Sequence, residues 1–209
     1  MKRKANTLYV VSEFVSATNK HMRRIELNYQ DPLDLIWLHA AKEMGMTVVR
    51  DDSVFAAWDG KGTLTIGTPE TLDPDDCLAQ MILHETCHAL IEGPDAWNKP
   101  DWGVQIDNRE QRVREHACLR LQAALTQPYG LRSFFAATTN FRKYYDQLPE
   151  DPLTGEDDPA TAIALDAISR ATTGPLSGPL QEALKRTAGI AAVVQGVADQ
   201  DSLWSQVAT

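Results

Sequence analysis

His84-Glu85-Thr86-Cys87-His88 places two imidazoles four residues apart, with a carboxylate beside the first. On an α-helix, residues four apart lie about 40° apart around the axis, so both rings can meet one ion. Neutral imidazole suits Zn²⁺, and a third protein donor would leave one tetrahedral position for water. Glu85 points to the side of the pair, where it can take a proton from that water without joining the metal. The chemistry open to this group is metal-assisted hydrolysis of a carbonyl compound, with His84 and His88 as zinc ligands and Glu85 as general base. The alternative use of two inward histidines and an acid is a structural hydrogen-bonded cluster.

The motif works only on a helix that turns it inward. Asp73 can cap, Pro74 can occupy the first helical position, and Asp76 complements the helix dipole, which together predict a helix over residues 74–91, ending at Gly93-Pro94. Cys77, Met81, His84, His88 and Ile91 fall on a single stripe of that helix, aiming the histidines into the protein. Upstream, Asp31-Pro32 caps a helix over residues 33–46, with Leu33, Ile36, Trp37 and Ala40 at helical spacing. The β-branched residues of 47–50 predict a short strand. Residues 54–58 and 63–67 flank Asp59-Gly-Lys-Gly62 and predict a hairpin.

Downstream, residues 92–106 have no period and read as an ordered irregular loop. Asp107 and Glu110 repeat the capping pattern and open a helix reaching Leu125, before Pro128. Further helices are expected over 131–147, 159–172 and 179–197. The fold class is α+β: a small antiparallel or mixed sheet and the HExxH helix within residues 1–128, followed by a helical extension, 129–209, packing on that domain.

The HExxH helix, preceded by a helix and a small sheet, resembles the zincin metallopeptidases over about residues 31–128. The resemblance implies a zinc-dependent peptidase that cleaves a peptide or protein substrate with metal-activated water. It also implies that the last strand before the metal helix pairs with the substrate, making Thr63 and Thr65 substrate-binding positions. No histidine or glycine follows His88 at metzincin distances, and Glu92-Gly-Pro-Asp95 lacks the histidine of SprT-like proteases. The third ligand is then expected on the next helix, as is the glutamate of gluzincins. Glu115, with Cys118 three residues on and Pro128 thirteen on, is similar to the ligand position of compact intracellular ImmA/IrrE-type peptidases and is the provisional choice. Leu119 stands where that pattern has asparagine, and the apolar stripe of Val113, Ala117, Leu121 and Ala124 centres nearer Glu110. Glu110 is therefore a second candidate, with helix capping as its ordinary job. His116 is the third and would give a three-histidine site. A zincin-type binding or regulatory protein and a zinc hydrolase of a non-peptide amide stay open beside the peptidase.

The 209 residues carry 20 Lys+Arg against 29 Asp+Glu, a formal charge of −9. With a pI near 5.0, duplex binding lacks its usual basic footprint, and no nucleic-acid partner is expected. The basic stretch from Met1 to Arg24 reads as solvated surface. No apolar run approaches the ~20 residues that span a bilayer, so no membrane role is expected. Three cysteines are too few for a disulfide scaffold, which points to the cytoplasm. Cys87 and Cys118 read as small core residues that meet if their helices pack around the metal. Trp97 and Trp102 pack the loop or wall a cleft. Tyr144 and Tyr145 read as helix packing, and His21 and His39 as structural or exposed.

Overall fold

The structure, a computed structural model, describes residues 27–104, 109–137 and 141–207. The basic stretch up to Arg24, His21 and the capping position Asp107 lie outside them. The chain divides into two units, Met1–Gln30 and Asp31–Thr209. In the first, residues 27–30 are exposed and form no regular element. The second unit holds a mixed α+β arrangement, with six α-helices and a three-stranded sheet among the described residues.

Helix α1, Pro32–Glu43, begins as expected: Asp31 accepts from the Leu33 N–H at 2.8 Å and Pro32 fills the first turn. It buries Leu33, Trp37, Ala40 and Ala41. Strand β1, Thr47–Arg50, follows, then β2, Ala56–Trp58, and β3, Thr63–Ile66. Gly60 and Gly62 in the connector take φ of 71° and 115°, and Asp59 accepts from the Lys61 and Thr63 N–H groups. A Cβ on Gly60 would stand 3.0 Å from the backbone of Asn98 and Lys99, so this hairpin turn needs glycine to approach the loop beyond the HExxH helix.

The strand order is β1-β3-β2, with β3 parallel to β1 and antiparallel to β2. This corrects the expectation for Thr63 and Thr65. Both lie on the central strand, Thr63 opposite Thr47 and Thr65 between Val49 and Ala57, so β3 offers a substrate no free edge there. The outer edge on the hairpin side belongs to β2. Phe55 accepts from Gly67, and Asp59 donates to Thr63, so Phe55, Ala57 and Asp59 turn their backbone groups toward β3. The alternating ladder leaves those of Ala56 and Trp58 on the outer side.

Helix α2, Leu78–Glu92, starts four residues later than expected. Residues 73–76 close a turn instead, the Asp76 N–H donating to the Asp73 carbonyl at 2.9 Å and the Asp76 carboxylate accepting from the Asp73 N–H at 3.1 Å. The helix is opened by Gln80, whose Oε1 accepts from the Cys77 N–H at 2.6 Å while its Nε2 donates to the Phe134 carbonyl at 2.9 Å. At the far end Gly93, with φ 79°, stops it, and Arg170 caps the carbonyls of Leu90 and Ile91. Helix α2 contacts α1, α3 and α5, and is buried nearly all round rather than along a single stripe.

Helix α3, Arg109–Thr126, is likewise buried on most of its circumference from Ala117 onward, between α2 and α5. Of the helix expected over 131–147, only α4, Arg142–Asp146, forms among the described residues. The segment before it turns at 132–135, where the Phe134 and Phe135 carbonyls are taken by side chains of α2 and α3. Helices α5, Pro159–Thr173, capped by Asp158, and α6, Ser177–Val194, complete the fold. The boundary expected at residue 128 does not divide it. Helix α1 packs on α6 and α3 on α5 within one unit, and one buried cluster runs from Leu33 to Ala191. No helix among the described residues is long and apolar enough to cross a membrane.

Trp37 anchors this core. It is fully buried, donates to Thr187 of α6 at 3.0 Å and meets Phe135 edge-on at 5.3 Å. Trp37→Ala is expected to destabilise the protein by about 3–5 kcal/mol, measured by denaturant unfolding. A loss under ~1 kcal/mol would contradict this anchoring role.

Candidate metal centre

Helix α2 carries His84 and His88 on adjacent turns, and α3 lays Glu115 across them. The two Nε2 atoms are 3.1 Å apart. Glu115 Oε1 lies 3.4 Å from His84 Nε2, and Oε2 lies 3.2 Å from His88 Nε2. Around a tetrahedral zinc with bonds of about 2.0–2.1 Å, neighbouring donors stand about 3.3 Å apart. The three groups thus form a triangle whose nearest atoms, a different Glu115 oxygen facing each imidazole, stand at the spacing of neighbouring zinc donors, and the donor types fit the ion. His88 and Glu115 are buried, whereas the His84 side chain keeps 24% of its surface, so the centre opens on that side. A second donor combination overlaps the first: His84, His88 and Cys118 offer atoms that all lie within 4.8 Å of one another.

The close approach sets the electrostatics. Burial disfavours the charged forms of both His88 and Glu115, but their mutual attraction prevails. The carboxylate raises the His88 pKa from 6.5 to about 9, and the imidazoles hold that of Glu115 at about 2. Cys118 and Cys87 are free and fully buried. Desolvation first, then its neighbour Cys87, pushes the Cys118 thiol well above its ordinary range.

Two side chains hold the central groups from behind. Gln122, one helical face along α3 from Glu115, has Oε1 3.1 Å from His84 Nδ1, and its Nε2 donates to the Phe135 carbonyl. Trp102 donates from Nε1 to Glu85 Oε2 at 2.9 Å. Its ring stacks on Trp58 at 4.4 Å, and Trp58 in turn donates to the Trp97 carbonyl. Asp101 accepts from the outward Trp58 N–H at 3.1 Å. Asp101 and Trp102 hold φ of 47° and 56°, a left-handed backbone costing about 1–3 kcal/mol per residue. The strained pair therefore fastens the edge of β2 and the Glu85 carboxylate together. A cavity of about 320 Å³ lies between them, lined by Ala56, Glu85, His88, Asp101, Trp102 and Val104. A smaller hollow of about 60 Å³ on the other side is bounded by His84, Glu115, Phe55, Met81 and Phe141, among others.

Of the third-ligand candidates, Glu115 alone meets the histidines among the described residues. Glu110 is exposed in the first turn of α3. His116 stacks on Tyr144 at 3.7 Å, away from the pair. The stripe that favoured Glu110 failed as a guide because α3 is covered by α2 on one side and α5 on the other. Tyr144 is committed to Arg120 and Asp158, Tyr145 to the Arg132 carbonyl, and His39 is exposed. Gln122 carried no signal by residue type. Its seven-residue spacing from Glu115, which returns it to the same helix face, is what could have marked it.

The pair predicts a pH signature in the metal-free protein. The raised His88 pKa contributes stability that is complete below 6.5 and lost as pH rises through about 9. The depressed Glu115 pKa contributes stability present above 4.5 and lost as pH falls toward about 2. Both shifts express one interaction, at full strength between those two unfolded values. In the presence of chelator, the Tm deficit of Glu115→Gln is expected to be largest near pH 5–6 and to shrink toward pH 9. A deficit constant across that range would contradict the ion pair. No family model, curated protein or solved structure matches this chain, so the donor geometry carries the functional conclusion.

Proposed function

We propose that this chain is a zinc-dependent metallopeptidase of the zincin type, with His84, His88 and Glu115 as zinc ligands and Glu85 as general base. The observation that carries the proposal is the triangle of His84, His88 and Glu115, whose facing nitrogen and oxygen atoms approach to 3.1–3.4 Å, with Glu85 held beside it at the wall of a cavity. Zinc held there supplies a Lewis acid that brings the pKa of water to about 7.

The residues around the ion divide the remaining work. Glu85 takes a proton from the attacking water and returns it to the leaving amine nitrogen. Trp102, through its bond to Oε2, fixes the plane of that carboxylate and screens it from bulk solvent. The outer edge of β2 replaces β3 as the substrate-pairing edge, because Ala56 lines the same cavity as Glu85 and His88. An extended peptide laid along Ala56 gains main-chain hydrogen bonds and brings a carbonyl to the histidines. Three free thiols suit a reducing compartment such as the cytoplasm.

Glu85→Gln separates chemistry from metal binding. The zinc-loaded variant is expected to keep the wild-type metal content and to lose at least about 100-fold in hydrolysis of a fluorogenic mixed-peptide library. Undiminished hydrolysis would remove Glu85 from the mechanism. A zinc-loaded wild type that cleaves none of the library would favour a binding role instead.

A further inference from the structure

The His84 ring faces two different donor neighbourhoods. Its Nε2 looks toward His88 and Glu115, at 3.1 and 3.4 Å. Its Nδ1 looks toward Gln122 Oε1 at 3.1 Å and Cys118 Sγ at 3.8 Å. A neutral imidazole carries one N–H and one lone pair, so the ring can serve an ion through one nitrogen only while the other holds the hydrogen. Which donor set forms depends on where that hydrogen sits.

Gln122 settles its place. The side chain is 2% exposed, and its amide nitrogen donates to the Phe135 carbonyl, which fixes the end of the amide that is oxygen. The oxygen facing His84 can only accept, so Nδ1 must carry the hydrogen and Nε2 the lone pair. Phe135 is itself fixed, fully buried and packed edge-on against Trp37. His88 has no such support: its Nδ1 is buried without a hydrogen-bond partner among the described residues.

We propose that Gln122 is the positioning residue that selects the donor set, committing His84 to bind a divalent ion through Nε2 with His88 and Glu115, and keeping the Cys118 thiol out of coordination. The inference rests on the metal reading of the site, but adds to it a choice the triangle alone does not make. The selected set is two nitrogens and a carboxylate, suited to zinc with an open position. The rejected set would bring in a sulfur and favour softer ions.

Cobalt(II) bound to the metal-free protein reports the choice by absorption. The wild type is expected to lack a sulfur-to-cobalt charge-transfer band. Gln122→Leu is expected to lose about 10- to 100-fold in cobalt and zinc affinity, or to gain that band as Cys118 enters. Gln122→Glu, which also only accepts, should show no band. The band in the wild type, or a Gln122→Leu protein with wild-type spectrum and affinity, would overturn the proposal. Long-range ¹H–¹⁵N imidazole spectra of the metal-free wild type keep the question decidable without any ion. The hydrogen is expected on His84 Nδ1, and finding it on Nε2 would overturn Gln122's role. Failure of cobalt and zinc to bind at all would instead count against the metallopeptidase proposal, leaving the tautomer result to stand by itself.

Discussion

Two imidazole nitrogens 3.1 Å apart, each facing one oxygen of the same carboxylate at 3.2–3.4 Å in a largely dry place, form the constraint around which this protein is organised. Two imidazoles and a carboxylate withdrawn from water lose their hydration, and only a shared positive charge makes their approach favourable. In the metal-free protein a proton supplies that charge, which is why Glu115 holds His88 protonated so far above the ordinary imidazole range. A divalent cation would supply it more strongly and would displace the proton.

Meeting this constraint requires α2 and α3 to lie close together. Small residues make that approach possible: Cys87 and Cys118 are fully buried, and Cys118 also donates to the His84 carbonyl. The far side of α3 is secured by buried Arg120, which binds Asp158, Tyr144 and the carbonyls of Pro152 and Thr154. Arg120 thus ties the loop before α5 to α3. The helices beyond residue 128 are part of the scaffold that positions Glu115, not an appendage to it.

Local signals in the sequence were legible where local chemistry decides. The Asp31-Pro32 start of α1, the glycine-bearing hairpin turn and the convergence of His84 with His88 all follow from residues within a few positions of one another. Three features escaped because distant parts of the chain decide them. The start of α2 moved because Asp73 and Asp76 satisfy each other in a turn, leaving the cap to Gln80, which is also fastened to Phe134. The place of β3 between β1 and β2 depends on a parallel pairing across the hairpin, which alternation cannot register. The roles of Gln122 and Trp102 depend on the Phe135 carbonyl and on a left-handed backbone at Asp101 and Trp102. Glu115 was reachable only through family resemblance, since the periodicity of α3 pointed elsewhere.

Titration of metal-free protein with zinc, followed calorimetrically, bears most directly on whether the triangle is a metal centre. One zinc should bind per chain in the wild type, with affinity collapsing in His88→Ala and in Glu115→Gln while circular dichroism shows both variants still folded. Absence of saturable binding in the wild type, or undiminished affinity in Glu115→Gln, would contradict the account.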